Sequence, residues 1–277
     1  MSSCSAAWLA RPSFPALFST PILTSMNEIS LRPSGATDTT EHRGGSVIAA
    51  HVHGDDQIVY VSSGLLAVTT SAGVWSATPD RAVLTPAGMW HQHRVFGNSR
   101  VHALELTGSP HFELGSDAPI VFAVDALLRA LLIDLTDGRI PEVLVDEARV
   151  LLVGLIGFAP PAGIRLPNPH DERLVRARAL VEADLGENIA LSRLAAAVHV
   201  SERSLSRLFR TEFGATYPQW RNLVRVFHAS IALLEDEASV TEVAVRFGWA
   251  TPSAFITTFT RLIGQTPAAY QRGHNAP

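Results

Sequence analysis

Four histidines among the first hundred residues have spacings suited to metal chemistry. His51 and His53 flank Val52, so on an extended strand both imidazoles point to one face. Two nitrogen donors presented together are a reasonable start for a transition-metal site. His91 and His93 repeat the spacing, with the same consequence if that segment is also a strand. Trp75 and Trp90 could line a pocket nearby; they read at least as well as core.

Arginine carries the other chemistry. All 22 basic residues are Arg. Residues 1–169 hold ten Arg against fifteen acids, and residues 170–277 hold twelve against eleven. Arg193 to Arg225 contains six Arg and only two acids, Glu202 and Glu212. A local basic surface on a chain of net charge −4 is the pattern of a module that reads nucleic acid.

The elements that must position these residues fall into two regions. Between Ile29 and Glu105 the runs Ile58–Val61, Leu65–Thr70, Val74–Ala77 and Val101–Leu106 have strand character, punctuated by Gly, Pro, Asp and Ser. They predict a small antiparallel barrel or jelly roll. From about Val121 to Phe158 the period becomes helical, with Asp137-Gly138 as the break of a hairpin. Both helices are too apolar for water on all sides, so they must pack on the barrel or on another subunit. Pro160, Pro161, Pro167 and Pro169 predict a stiff linker. The first 25 residues are Ser-, Ala- and Pro-rich and lack a signal-peptide pattern; a disordered extension is expected, with Met26 as a candidate start. Cys4 is the single cysteine, which excludes an internal disulfide and fits a reducing compartment. No apolar run reaches membrane-spanning length.

The C-terminal region contains one pattern twice, fifty residues apart: Ser201 answers Thr251, Leu205 Phe255, Phe209 Phe259, Gly214 Gly264, Thr216 Thr266 and Trp220 Tyr270. Each copy predicts two short helices joined by a tight turn, with an N-cap at Ser201 or Thr251 and a glycine stop. That is a helix-turn-helix, repeated. Trp220, Leu223, Val224, Phe227, Ile231 and Leu234 form one stripe on a helix between the copies. Such a spacer would hold two recognition helices about one DNA turn apart, roughly 34 Å.

With Ala244, Phe247-Gly248-Trp249, Ser253, Phe255, Phe259 and Gly264-x-Thr266-Pro267-x-x-Tyr270, the last hundred residues resemble the DNA-binding domain of AraC-type transcription regulators. By position, the resemblance carries base-reading roles onto Arg203, Ser206 and Arg207, on the same exposed face as Ser204 and Arg210. In the second unit the matching positions are Pro252, Ser253, Ile256 and Thr257, with Arg261 the one Arg on that helix. None of the four can grip guanine with two hydrogen bonds, so this unit is expected to position more than to read.

The N-terminal region resembles the cupins. Gly45 is followed by His51-x-His53, Gln57 and Gly64, and later by Pro86-x-Gly88-x-x-His91. In that family two histidines, a carboxylate and a third histidine hold a metal inside the barrel. Here Gln57 replaces the carboxylate, Val95 stands where an asparagine is usual, and His93 rivals His91 as a ligand.

The whole chain is thus expected to have two domains. An antiparallel, cupin-like β-barrel with a helical hairpin is followed by an all-α domain with two helix-turn-helix units. The segments are an extension (1–25), sensor barrel (26–115), hairpin (116–158), linker (159–169) and AraC-type domain (170–277). The expected function is a cytoplasmic, effector-responsive, sequence-specific transcription regulator without catalytic residues. Its partners would be double-stranded DNA, a small-molecule or metal effector and a second copy of itself. RNA polymerase is open to it as a partner, and a membrane is not. One divalent metal in the barrel and a metal-free organic pocket both stay open. The alternative is a metal-dependent cupin enzyme with a DNA-binding tether.

Overall fold

The computed structural model describes residues 30–31, 37–106, 118–160, 162–235 and 238–274. The extension at 1–25 and the candidate start at Met26 lie outside the described residues. In chain order the strands are β1 (Ser30–Leu31), β2 (Thr37–His42), β3 (Val47–Val52), β4 (Gln57–Thr70), β5 (Gly73–Ala77), β6 (Arg81–Thr85), β7 (His91–Glu105), β8 (Ile120–Ala123) and β9 (Arg165–Pro167). The helices are α1 (Ala126–Thr136), α2 (Val145–Ile156), α3 (Glu172–Ala183), α4 (Leu191–Ala197), α5 (Glu202–Phe213), α6 (Tyr217–Glu235), α7 (Val240–Arg246), α8 (Pro252–Ile263) and α9 (Pro267–His274).

Two long strands organise the N-terminal half. β4 and β7 pair antiparallel from Gln57↔Glu105 to Thr69↔Gln92. Both bend at a glycine in the left-handed region, Gly64 (φ 75°) and Gly97 (φ 66°). A Cβ on Gly64 would lie 2.0 Å from the Ser99 hydroxyl, so the crossing requires glycine. The runs Ile58–Val61 and Leu65–Thr70, separate in the sequence reading, are therefore one strand folded at Gly64.

The bends divide the sheet into two half-sheets that share β4 and β7. One carries β2, β6 and β8, and the other carries β1, β3, β5 and β9. Apart from the parallel β1–β3 pair, these pairings are antiparallel, as the sequence predicts. Val59, Val61, Val83 and Val101 from one half meet Leu66, Val68, Trp75 and Val95 from the other in a buried core, so Trp75 is core.

Each half-sheet also buries its outer face. On the first, Ile58, Tyr60, Leu84, Leu104 and Phe122 pack under Leu128, Leu132 and Leu135 of α1 and Leu152 and Ile156 of α2. On the second, Leu65, Ala67, Val74 and Phe96 join the core of the C-terminal helices. Each large side chain buried this way contributes roughly 1.5–3 kcal/mol.

Two segment readings need correction. Helical period was expected from about Val121, but Ile120–Ala123 is β8, paired with β6. The helix starts only after Asp125, whose carboxylate accepts from the Leu128 amide at 2.9 Å. The proline-rich linker at 159–169 is not a free spacer. Ala123 donates to the Pro160 carbonyl and Ala162 to that of Val121. Arg165–Pro167 then adds to β5 as β9. Prolines at a sheet edge need no ladder donor there, which makes this course cheap.

The C-terminal half follows the repeat. Ser201 and Thr251 cap α5 and α8 by accepting from Ser204 and Ala254 amides, and Ser239 with Glu242 forms a capping box on α7. Gly214 (φ 63°) and Gly264 (φ 92°) stop the two recognition helices. The helix between the units is buried on more than the expected stripe. Val226, His228, Ala229, Ser230, Ala232 and Leu233 are buried too, and its far side meets the second half-sheet.

His228 on α6 predicts a pH response. Burial pushes its pKa from 6.5 down to about 4. Between those values the unfolded chain holds the proton and the folded chain does not, so acidification favours unfolding. The neutral ring's contribution is complete above pH 6.5 and is lost progressively toward pH 4, at most roughly 3 kcal/mol. Urea titrations of wild type and His228→Phe across that window should show a shallower pH slope in the variant. Equal slopes would refute the assignment.

Candidate metal centre and nucleic-acid interface

The inner-face histidines of β3 and β7 converge. His51 pairs across from His91, and Ile48 from His93. All four imidazoles, with His53 just past β3, are buried. The ligating nitrogens of His51, His53 and His91 lie within 4.8 Å of one another. His93 stacks on His91 with ring centroids 5.0 Å apart and lies outside that set of three.

Main-chain carbonyls set the tautomers. His51 Nδ1 is 2.8 Å from the Ala49 oxygen, His53 Nδ1 2.7 Å from that of Asp55, and His91 Nδ1 3.0 Å from that of Met89. A carbonyl only accepts, so each Nδ1 carries the proton and each Nε2 presents a lone pair. His53 Nε2 lies 3.3 Å from His91 Nε2. With both Nδ1 atoms on carbonyls, one cation between the two Nε2 atoms would serve both rings. The spacing suits two ligands on one tetrahedral ion with bonds of about 2.0–2.1 Å. Orientation of each imidazole through its other nitrogen is the usual support of a metal ligand. The donor set therefore fits a borderline-soft divalent ion such as zinc.

Gln57 is buried on the inner face of β4, opposite Thr85 and Glu105. Glu105 was missed in the sequence, although Val101, Ala103 and Glu105 share one parity. It places a fully buried carboxylate directly across from the amide that replaces the usual one.

On α5, Arg203, Arg207 and Arg210 are exposed, and Leu205 and Phe209 are buried. Ser206 is half-buried, and the Ser204 hydroxyl lies 2.9 Å from that of the cap Ser201. On α8, Ser253, Ile256, Thr257 and Arg261 are exposed on one side, while Phe255 and Phe259 face inward. The structure thus brings each set onto its own recognition-helix surface. The half-buried Pro252 occupies the first turn of α8.

The barrel and the C-terminal helices touch directly. Arg81 of β6, buried and paired with Asp80 at 3.0 Å, donates to the carbonyl of Ile263, the last residue of α8. A cation at a helix C-terminus is favourable. Gly97, at the bend of β7, lies against Leu234 of α6. No sequence signal marks Arg81, because its partner is a main-chain oxygen far along the chain.

Comparison with known proteins gives two family matches. Residues 194–273 match the helix-turn-helix domain and residues 39–107 match the cupin domain. The HTH-type transcriptional regulator NimR of Escherichia coli (strain K12) is 26% identical over 234 residues, covering 79% of this chain and 81% of that protein. The HTH-type transcriptional activator RhaR of Enterobacter sp. (strain 638) is 25% identical over 169 residues, 59% of this chain and 58% of that protein. Among solved structures, an AraC-type regulator from Chromobacterium violaceum shows 24% identity with a TM-score of 0.37, covering 38% of this chain and 95% of that one.

Proposed function

We infer, from the premise that this chain is an AraC-type DNA-binding transcription regulator with an N-terminal cupin domain, that it responds to a divalent transition metal. The observation that carries the inference is the buried trio His51, His53 and His91, whose ligand atoms lie within 4.8 Å of one another while a main-chain carbonyl holds each Nδ1. These three residues would hold the ion, with His93 stacked on His91 beside them. When bound, the ion supplies positive charge between the converging imidazoles.

The strands give that event a route to the DNA-binding half. On β7, His91, His93 and Val95 face inward while Phe96 packs in the core of the C-terminal helices. On β4, Leu66 and Val68 face inward and Leu65 and Ala67 outward onto the same helices. A change in the inner layer thus alters the surface on which α6 and α9 dock. Metal binding selects between two dockings only as far as it binds them unequally.

On DNA, α5 reads bases through Arg203, Ser206 and Arg207, with Ser204 and Arg210 beside them on the phosphate side. α8 positions through Ser253, Thr257 and Arg261 and reads a weaker, AT-rich half-site through Ile256 against a thymine methyl. The chain works as a cytoplasmic homodimer, joined through the apolar surface that α2 leaves in water: Val150 is 71% exposed and Leu151 48%. Among the described residues no helix is long and apolar enough to cross a membrane.

The test is elemental analysis of the purified chain after zinc reconstitution, beside His51→Ala, with DNA affinity measured in each state. Near one ion per chain in wild type, near none in the variant, and a metal-dependent affinity in wild type alone are expected. A wild type that takes up no metal refutes the reading and turns the pocket over to an organic effector.

A further inference from the structure

Arg225 lies near the middle of α6, buried, and its guanidinium serves both helix-turn-helix units at once. Nε donates to the Leu185 carbonyl at 2.8 Å and Nη2 to the Glu187 carbonyl at 3.0 Å, in the loop that leads into α4. Nη1 reaches the Gly248 carbonyl at 3.5 Å, in the turn between α7 and α8. The same guanidinium lies 5.9 Å from the centre of the Trp249 ring. The two segments also touch: a Cβ on Gly248 would lie 2.4 Å from the Gly186 oxygen.

Helix α6 cannot do this alone. A helix fixes the distance between its ends at about 1.5 Å per residue. It does not fix how a unit hung on it by a loop is rotated. A buried guanidinium that satisfies main-chain carbonyls from both units does fix it, because leaving those partners unpaired is costly. Burial pushes the Arg225 pKa down to about 10, so the group stays charged at neutral pH.

We propose that Arg225 is a positioning residue for DNA recognition: it locks α5 and α8 in one relative placement and thereby sets the half-site spacing this regulator accepts. The proposal rests on both units meeting one duplex.

The full-length chain is first used to enrich its sites from a random-sequence duplex library. One base pair is then inserted or removed between the enriched half-sites. Wild type should lose about tenfold in affinity on either change, whereas Arg225→Met should differ by less than about threefold across the three spacings. Arg225→Lys keeps the charge but offers one nitrogen for carbonyls in two segments, so it should follow Arg225→Met. Circular dichroism establishes that each variant is folded, and Arg225→Lys carries the test where Arg225→Met is not. A folded variant that keeps the wild-type discrimination overturns the proposal. A wild-type chain that enriches a single half-site, or accepts every spacing, overturns the two-unit reading beneath it, and wild type alone shows that.

Discussion

Arg207→Ala should lower affinity for the enriched site by roughly 1–3 kcal/mol and flatten the preference at one base pair. Arg207 is exposed on α5, on the side opposite the buried Leu205 and Phe209, and its fork can hold guanine O6 and N7 together. Arg210, one residue past the buried Phe209 and in the last turn of α5, is the phosphate contact in the proposed reading. Arg210→Ala should therefore weaken every sequence about equally and reduce the salt slope by about one. Titrations at several salt concentrations, on the enriched site and on single-base variants of it, separate the two. If both variants lose affinity uniformly, base reading does not lie with Arg207.

The second large effect lies in the core that holds the first unit. Trp220 stacks on Phe213 with ring centroids 5.4 Å apart and planes 9° from parallel, and meets Phe209 at 5.2 Å. Tyr217 closes the group at 5.2 Å from Phe209. Phe209 anchors the recognition helix, so this cluster sets where Arg207 stands. Trp220→Ala leaves a cavity too large for its neighbours to fill, and should cost roughly 3–5 kcal/mol. Against a total stability of about 5–15 kcal/mol, that is a large share of what holds the fold. Chemical denaturation followed by circular dichroism measures it. A loss under about 1 kcal/mol would mean that the aromatic group is not the anchor described.

Much of this was legible in the sequence where the signal is local. The repeat placed both helix-turn-helix units, because caps, turn glycines and 3.6-residue spacing are written within a few positions of one another. Parity put His51 with His53 and His91 with His93, and the pairing of β3 with β7, His51 opposite His91, brought the pairs together. Non-local pairing was not legible. Val121-Phe122 carries no period that tells a strand from the start of a helix, and only β6 decides. Arg165–Pro167 becomes a strand because β5 has an open edge beside it. Arg81 and Arg225 bond to main-chain oxygens, which exist at every position and leave no compositional trace.

The outer face of the second half-sheet has a consequence for how such a chain can evolve. Leu65, Ala67, Val74 and Phe96 belong to the sensor by sequence but to the reader's core by packing. Grafting a foreign reader onto this sensor would leave those side chains facing a surface never shaped for them, or facing water. Sensing and reading specificity are therefore inherited together, and recombination at the proline-rich junction is disfavoured despite its convenient place in the chain. New pairings of signal and operator are reached more easily by changing the inner layer of the barrel or the exposed side of α5 one residue at a time.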